Sequence, residues 1–319
     1  MRAPAAPSGG PVEEAMNESN QSLPEVLRDP GELRRRLDAA RARGARVAFV
    51  PTMGALHEGH LALVRHARGI ADLVVVSIFV NPTQFGPQED LARYPRDLDG
   101  DLRRLAEVPA DLVLAPSVEA VYPPGFATTV HVAGLTEGLC GAHRPGHFDG
   151  VATVVAKLFS MVGPCVAVFG RKDFQQLQVV RRMTADLNLP VTIVGRPTVR
   201  EPDGLAMSSR NRYLTPEERR RATALVEGLR AAAHAFAAGQ RDPTVLQSLV
   251  LARLEGRVDA IDYVFVGDPE TLRPYDGPVP RGRTVLVAVA AHIGRTRLID
   301  NAELGTDDLA PRAGPPPSP

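Results

Sequence analysis

The sequence predicts an α/β protein with a Rossmann-like, doubly wound parallel sheet followed by a smaller C-terminal α+β domain. Over roughly the first 200 residues, short β-branched segments alternate with segments whose apolar residues recur at helical spacing. Residues 73–80 form a continuous apolar run, which is typical of a strand buried on both faces of a parallel sheet. Beyond residue 198, helices precede closely spaced strand-like segments, which predicts antiparallel pairing in a second domain.

The first domain is predicted to begin with a helix, because Asp29 and Pro30 form a typical cap and first turn. Leu33 and Leu37 lie at helical spacing after them, and Gly44 ends the segment. The elements that follow alternate in type. Strands are predicted at residues 47–50, 73–80, 112–114, 165–169 and 191–194, and helices around residues 61–67, 99–107, 151–162 and 174–187.

The second domain is predicted to open with the capping box Thr215-Pro-Glu-Glu218. Its predicted elements are helices up to Ala238 and at residues 245–255, then strands at residues 261–266, 285–290 and 296–299. We place the two domains at residues 29–198 and 199–304. The Pro/Ala/Gly-rich ends, residues 1–28 and 305–319, are expected to be disordered because they cannot bury enough apolar surface.

The composition is that of an ordinary globular protein and excludes several classes of partner. Of the 319 residues 44% are hydrophobic, and 37 basic residues balance 37 acidic ones, which argues against nucleic acid as the main partner. The longest apolar run is far shorter than the roughly 20 residues that span a bilayer, so no membrane association is expected. The start of the chain lacks a secretory apolar core, and the two cysteines lack metal-like spacing. We expect a cytoplasmic protein with small-molecule partners.

Two histidines follow the first strand of the parallel-sheet domain, where the chain turns into a helix. His57 and His60 are three residues apart and would share one helical face, while Gly54 and Gly59 allow the backbone to approach a ligand. A helix that begins beyond a parallel strand offers unpaired N–H groups to phosphate. A zinc-protease site is disfavoured, because that motif has its histidines four residues apart. Exposed turn residues are the alternative to a phosphate site.

Further polar groups follow other strands or lie near the domain junction. Lys172 can bind phosphate as a point charge, Asp173 can cap a helix or hold Mg²⁺, and Gln176 can hydrogen-bond a polar substrate. Residues 201–212 include two hydroxyls and an arginine in succession, which can grip a phosphate chain. Gln84 follows a buried strand and can face the same crevice. A solvated helix start and a flexible linker are the alternatives.

Taken together, motifs between residues 47 and 301 resemble the pantothenate synthetase family, the pantoate–β-alanine ligases of the nucleotidyltransferase superfamily. The stretches that carry the resemblance are PTMGALHEGH, SIFVNPTQF, YPRDLDGDL, RPGHFDGVATVVAKLF, KDFQQL, REPDGLAMSSRNRYL and TRLIDN. The family implies ATP-dependent activation of pantoate as pantoyl adenylate, with release of pyrophosphate. Attack by the β-alanine amine then gives pantothenate and AMP. ATP is thus an expected substrate, Mg²⁺ an expected ion and a homodimer the expected assembly.

The resemblance also implies roles for individual residues of this chain. Catalytic residues are expected to be His57, His60, Lys172, Ser208, Ser209 and Arg210. The expected ATP contacts are these six together with Met53, Gly170, Asp173, Val199 and Met207. Met53, Gln84 and Gln176 are expected to bind pantoate, and Asp101 matches a position tied to Mg²⁺. Ser208, Ser209 and Arg210 match a mobile loop that closes on the triphosphate.

The chain departs from the family pattern at four positions. Arg171 stands where the family usually has glutamate and reverses a charge near the expected ATP site, and Gly100 stands where an acidic residue is usual beside Asp101. His143 and Asp149 are the other two departures.

Two other functions would explain part of the sequence. A different nucleotidyltransferase of the superfamily, acting on a phosphorylated acceptor, would use His57 and His60 but has no need of Gln84 and Gln176. A non-catalytic nucleotide-binding module would keep the fold and lose the phosphate-contacting side chains, all of which are present in this chain. We therefore favour the ligase.

Overall fold

The computed structural model describes residues 23–87, 89–108, 110–306 and 309. The disorder expected for residues 1–22, 307–308 and 310–319 concerns positions outside the described residues. The N-terminal part contains the strands β1 Glu25–Leu27, β2 Val47–Thr52, β3 Leu73–Ile78, β4 Leu112–Leu114, β5 Cys165–Gly170 and β6 Val191–Arg196. Its helices are α1 Pro30–Ala42, α2 Glu58–Ile70, α3 Leu98–Ala106, α4 Val118–Val121, α5 Cys140–His143, α6 His147–Val162 and α7 Phe174–Asp186.

The six strands form one parallel sheet in the order β1-β4-β3-β2-β5-β6. This confirms the predicted α/β fold class. From β2 the chain winds outward through β3 and β4, and the later pair, β5 and β6, lies on the other side of β2. The strand order therefore reverses between β2 and β5, and ligands of such sheets bind beyond the carboxyl ends of the strands at that point.

Strand β1 corrects the expectation that residues 1–28 are disordered as a whole. Glu25, Val26 and Leu27 pair in parallel with β4 at one edge of the sheet, and Leu27 is buried in the core. Three residues are too few for a periodic signal, so the pairing depends on the neighbouring strand. Leu309, within the expected C-terminal tail, is likewise buried, and its carbonyl accepts a hydrogen bond from Arg230.

The C-terminal part consists of the helices α8 Pro216–Ala222, α9 Ala224–Ala237 and α10 Pro243–Leu254, and the strands β7 Ala260–Gly267, β8 Val285–Ile293 and β9 Thr296–Leu304. The three strands form an antiparallel sheet in sequence order, which confirms the predicted pairing. The single helix predicted after the capping box is two helices that meet at Thr223. Its hydroxyl donates to the Arg220 carbonyl, and such local bonds compete with helix continuation.

Helix α6 packs closely against the 3₁₀ turn Pro82–Gln84, which follows β3. Gly150 makes this approach possible, because a Cβ there would lie 2.4 Å from the Thr83 carbonyl oxygen. The Gly150 carbonyl in turn accepts a hydrogen bond from Asn81, which caps the turn. The helix thereby fixes the segment that carries Gln84.

No helix in the described ranges is long and apolar enough to cross a membrane.

We predict that Gly150→Ala destabilises the protein, because the new methyl group meets backbone atoms that cannot rotate away. A cost of about 1–3 kcal/mol in the free energy of unfolding is expected for such overpacking. Denaturant unfolding measures it. Gly69→Ala is the matched control, since Gly69 lies in α2 with open space around it and should gain up to about 1 kcal/mol from helix propensity. Equal effects of the two substitutions would contradict the packing argument.

Candidate active site

A cavity of about 840 Å³ lies between the two sheets. Residues from both parts of the chain line it, and some of them were predicted to bind substrates. Those predicted residues are Lys172, Asp173, Gln176, Ser208 and Arg210. His57, His60, Met53 and Gln84 are outside this lining and belong to the adjoining segments after β2 and β3.

The two histidines form a stacked pair where α2 begins. His57 is the residue preceding the helix, and the ring centroids of His57 and His60 are 4.1 Å apart. The backbone N–H of His57 donates to Nδ1 of His60 at 3.3 Å. Since that nitrogen accepts a hydrogen bond, the proton of neutral His60 is on Nε2.

Both imidazoles are neutral at physiological pH. Burial, followed by the charge of Lys172, lowers the pKa of His57 to about 4. Burial, followed by the neighbouring His57, lowers the pKa of His60 to about 3. Nδ1 of His57 is buried and has no hydrogen-bond partner within the described part of the chain. The pair can therefore supply hydrogen bonds to phosphate but no positive charge.

The positive charge comes from the adjacent strand end. Lys172 lies in the 3₁₀ turn Arg171–Asp173 that directly follows β5, the strand beside β2. Asp173 occupies the capping position of α7, yet its side chain makes no capping hydrogen bond and is exposed at the cavity. The carboxylate of Asp173 is thus available to a cation.

The segment after β6 folds back over the start of α2. Arg200 and Ala206 form an antiparallel bridge, and the N–H of Met207 donates to the Val199 carbonyl at 3.0 Å. This pairing brings Sδ of Met207 to 3.1 Å from the N–H of Gly59 in the first turn of α2. The loop that precedes Ser208 therefore contacts the histidine segment directly.

The two residues expected to bind pantoate contact each other. Nε2 of Gln84 donates to Sδ of Met53 at 3.0 Å, and its Oε1 accepts from Asn81 at 3.1 Å. Gln84 is buried, so its orientation is set by these partners. Met53 lies in the turn between β2 and α2, and the pair therefore joins the ends of two neighbouring strands.

The motif Arg144-Pro-Gly-His-Phe148 holds the backbone of Gln84 through hydrogen bonds. Nδ1 of His147 contacts the Gln84 carbonyl at 2.8 Å, and Nε2 contacts Arg144 at 3.0 Å. Arg144 also forms a two-pronged ion pair with Glu89. Because Arg144 can only donate, Nε2 of His147 accepts and the proton is on Nδ1. Burial and the Arg144 charge lower the pKa of His147 to about 4, in agreement with this neutral form.

Asp101, the residue predicted to bind Mg²⁺, lies buried beneath the turn between β2 and α2. Its carboxylate is 4% exposed and accepts the N–H groups of Ala55 at 3.0 Å and Leu56 at 2.7 Å. Burial raises its pKa, and those two hydrogen bonds oppose the rise. No cluster of three or more His, Cys, Asp or Glu residues suited to a metal occurs in the ranges that the structure describes. Asp101 instead holds the turn that leads to His57.

The four departures from the family pattern have local partners. Arg171 pairs with Glu303 at 3.5 Å, and Gly100 makes room for Asp97, which caps α3 by accepting the Gly100 N–H at 2.9 Å. Asp149 contacts His131 at 2.8 Å. His143 lines the cavity beside Asp262, at 3.8 Å. The charge reversal at Arg171 is therefore balanced within the protein.

Comparisons with known proteins agree with this architecture. The family model described as pantoate-beta-alanine ligase matches residues 25–303. This chain belongs to the pantoate-beta-alanine ligase family.

Its relatives match nearly their whole length. "Pantothenate synthetase 1" of Bradyrhizobium diazoefficiens is 57% identical over 279 residues, which cover 88% of this chain and 98% of the relative. The pantothenate synthetase of Myxococcus xanthus is 52% identical, with 91% and 99% covered. A crystal structure of pantothenate synthetase from Thermus thermophilus superposes with a TM-score of 0.81 at 50% identity, covering 88% of this chain and 99% of that one.

A ligase structure from Francisella tularensis, described as complexed with beta-gamma ATP and beta-alanine, gives a TM-score of 0.68 at 29% identity. It covers 88% of this chain and 97% of its own.

Several residues of the site were not predicted from the sequence. Glu89, Arg144, Asp300 and Asn301 line the cavity, although no role was assigned to any of them. All except Glu89 lie in motifs that carry the family resemblance, RPGHF and TRLIDN. The motifs gave a signal that these segments matter, but which atoms they contact depends on the fold.

We predict that stability falls as the pH is lowered through the window set by these histidines. Unfolded His57 and His60 bind protons near the ordinary pKa of 6.5, whereas the folded forms bind them only near 4 and 3. The unfolded state thus binds more protons between these values, so the free energy of unfolding is highest above about pH 6.5 and decreases toward pH 4.

The substitution His60→Gln should reduce the proton uptake on unfolding by about one proton near pH 5. The slope of the unfolding free energy against pH measures this uptake. His234→Gln on α9 is the control, because His234 is exposed to water in the folded protein. The same slope for the wild type and His60→Gln would contradict a neutral, buried His60.

Proposed function

We propose that this protein condenses pantoate with β-alanine at the expense of ATP, through a pantoyl adenylate. The main support is that two sets of side chains lie at the carboxyl ends of neighbouring strands, where the strand order reverses between β2 and β5. One set is suited to phosphate, the His57–His60 pair and Lys172. The other, Met53 with Gln84, is suited to a small polar acid. Relatives named pantothenate synthetase and a related ligase described as complexed with beta-gamma ATP and beta-alanine support this choice.

The chemistry requires activation because a carboxylate is a poor electrophile. In the first step a pantoate carboxylate oxygen attacks the α-phosphorus of ATP, and the bond to pyrophosphate breaks. In the second step the β-alanine amine attacks the acyl carbon, AMP leaves with its oxygen, and the amine loses a proton. The protein must hold the acid in line with the α-phosphorus and stabilise charge that develops on the phosphate oxygens.

The proposed roles follow from position and charge. The neutral imidazoles of His57 and His60 donate hydrogen bonds to phosphate oxygens, and Lys172 neutralises charge on them. Met53, Gln84 and Gln176 orient pantoate. The pyrophosphate portion is held by Ser208, Ser209 and Arg210, and the nucleotide is further contacted by Gly170, Val199 and Met207.

We further propose that Mg²⁺ enters with the triphosphate and is held by Asp173. Magnesium in nucleotide sites is typically bound through one or two carboxylates, with phosphate oxygens and water as the other ligands. Asp173 is exposed at the cavity beside Lys172, whereas both oxygens of Asp101 accept backbone hydrogen bonds. Bound Mg²⁺ would draw charge away from the phosphates.

Exchange of pyrophosphate into ATP tests the first step. Exchange should require pantoate, and addition of β-alanine should yield AMP in equal amount to pantothenate. Pyrophosphate exchange in the absence of pantoate would contradict the ligase proposal. Nucleotide transfer to a phosphorylated acceptor would favour the other nucleotidyltransferase function, and binding of ATP with no turnover would favour the non-catalytic module.

We predict that His60→Ala lowers the rate of pantoate-dependent exchange by about 10²- to 10³-fold, the usual effect of removing a donor aimed at developing charge. Thermal unfolding measured beside it should show a much smaller change. His234→Ala, which removes an exposed histidine far along the chain, is the control and should retain full activity. Equal losses of activity and folded protein in His60→Ala would assign the histidine a structural role.

We also propose that the protein is a cytoplasmic homodimer, with its domain boundary near residue 198. The cytoplasm supplies ATP. The dimer is supported by the free edge of the parallel sheet, where β6 pairs only with β5 among the described strands. Val191 and Ile193 of β6 are partly exposed, and Leu187 before it is 49% exposed. An open apolar strand edge favours association with another chain.

Analytical ultracentrifugation, which measures the mass of the protein in solution, tests this prediction. The wild-type protein should have the mass of two chains, and Ile193→Lys should shift it toward one chain. Val245→Lys, at an exposed apolar position on α10, is the control and should leave the mass unchanged. A monomeric wild type would exclude the homodimer, and a dimeric Ile193→Lys would place the interface elsewhere.

A further inference from the structure

Strand β9 of the C-terminal sheet carries two adjacent buried polar residues at the cavity wall. Asp300 and Asn301 are 2% and 5% exposed and line the cavity, in a strand whose Leu298, Ala302 and Leu304 pack into the core. Burial of polar groups is costly unless they are hydrogen-bonded. Their partners therefore show what they do.

Asn301 binds the turn that carries Lys172. Its Nδ2 donates to the carbonyl oxygens of Arg171 at 3.1 Å and Lys172 at 2.8 Å. These carbonyls belong to consecutive residues of one tight turn after β5, so a single amide group fixes the orientation of the turn. The backbone of Lys172, which lies in the parallel-sheet domain, is in this way attached to the other sheet.

Asp300 binds the loop that leads to Ser208. Its two oxygens accept Nη1 and Nη2 of Arg200 at 2.7 and 3.0 Å, in a buried pair with parallel hydrogen bonds. Nη1 of Arg200 also donates to the Gly204 carbonyl at 3.1 Å. The Arg200 segment pairs with the residues just before Met207, so its position determines where Met207 and Ser208 lie.

The two halves are joined within β9. The N–H of Asn301 donates to Oδ1 of Asp300 at 2.8 Å, and Arg200 contacts the Asn301 carbonyl at 3.4 Å. A continuous set of hydrogen bonds thus runs from the Gly204 carbonyl through Arg200, Asp300 and Asn301 to the Lys172 carbonyl. We call these three side chains the β9 relay.

We propose that the β9 relay is a positioning device for the reaction, which rests on the function proposed above. It sets the distance between Lys172 on one side of the cavity and the Ser208–Arg210 segment on the other. Both groups act on the same phosphate chain, so an error in their separation weakens transition-state contacts even when each side chain is intact. Misplacement by about 1 Å can cost about 10²-fold in rate.

Asn301→Ala and Asn301→Asp test the relay, because both leave the side chains of Lys172, Ser208 and Arg210 in place. Both remove the amide donor, and Asn301→Asp keeps the shape of the side chain. Each should lower kcat of pantoate-dependent pyrophosphate exchange by about 10- to 100-fold, up to the cost of a misplacement of about 1 Å. The KM for pantoate should change by less than about twofold, because Asn301 makes no hydrogen bond to Met53, Gln84 or Gln176. Rates are normalised to the folded fraction.

Tyr275→Phe is the matched control. It removes a partly buried hydrogen bond from the Tyr275 hydroxyl to the Thr284 carbonyl in the same domain, and Tyr275 lies outside the cavity lining. It should retain the wild-type kcat. An Asn301 variant with wild-type kcat would overturn the proposal. So would equal losses of kcat in Asn301→Ala and Tyr275→Phe, because they would indicate general loosening of the domain.

A double-mutant cycle with Lys172→Ala separates positioning from an independent role. If Asn301 acts through Lys172, then Asn301→Ala should cost less than about twofold in the Lys172→Ala background. A full multiplicative loss would overturn the relay.

Should the Asn301 variants fail to fold, Arg200→Lys is the second test. It keeps a positive charge beside the Asp300 carboxylate but loses the two parallel hydrogen bonds, and it should lower kcat in the same way. An unchanged kcat there would overturn the proposal. Wild-type protein without pantoate-dependent exchange would instead refute the proposed function, so the two failures are distinguishable.

Discussion

The site depends on one buried carboxylate that holds a turn in an unfavourable conformation. Asp101 accepts hydrogen bonds from Ala55 and Leu56, and Ala55 has a positive φ of 50°. A residue other than glycine in that region costs roughly 1–2 kcal/mol, which the two charge-assisted bonds offset. Gly54 precedes it with φ of 80° and leaves space for the carboxylate. The turn directs the chain from β2 into α2 and so places His57 and His60 at the crevice.

The residues of the site differ in charge: the two histidines are neutral, and Lys172 is positively charged. Burial keeps both histidines neutral, with the charge of Lys172 as the next cause for His57, so their protonation does not change near pH 7. In the function proposed above, Lys172 and Arg210 supply the positive charge. This division suits a reaction whose negative charge is present in ATP from the start, because donors prearranged in a partly buried site need little reorganisation as charge shifts between oxygens.

The C-terminal sheet does more than close the cavity. Its buried residues Asp300 and Asn301 hold two segments that line the cavity, and Gln178 of α7 donates to the Pro269 carbonyl at 2.9 Å. Side chains of one domain thereby fix backbone of the other. The buried Arg200–Asp300 pair is costly to desolvate, and its clearest benefit is geometric, since paired bonds allow few alternative arrangements.

Much of the fold was determined by the sequence alone. Strands β2 to β6 and helices α1, α2 and α7 follow from apolar periodicity and caps, because those signals are local. Ordered motifs at strand ends were enough to indicate the family and the side chains expected at phosphate. Strand β1 was missed because three residues carry no period, and its place is fixed only by pairing with β4.

What tertiary structure decided is which partner each polar group meets. The spacing of Asp101 from His57 in the chain gives no sign that its carboxylate reaches back 46 residues to the Ala55 amide, so a metal role and a structural role looked alike. The sequence likewise shows that Arg171 reverses a charge near the expected ATP site, but not that Glu303, 132 positions later, lies beside it. Protonation also belongs to this level, because the neutrality of His57 and His60 results from burial, and burial exists only once the sheet, the loop and α2 are packed together.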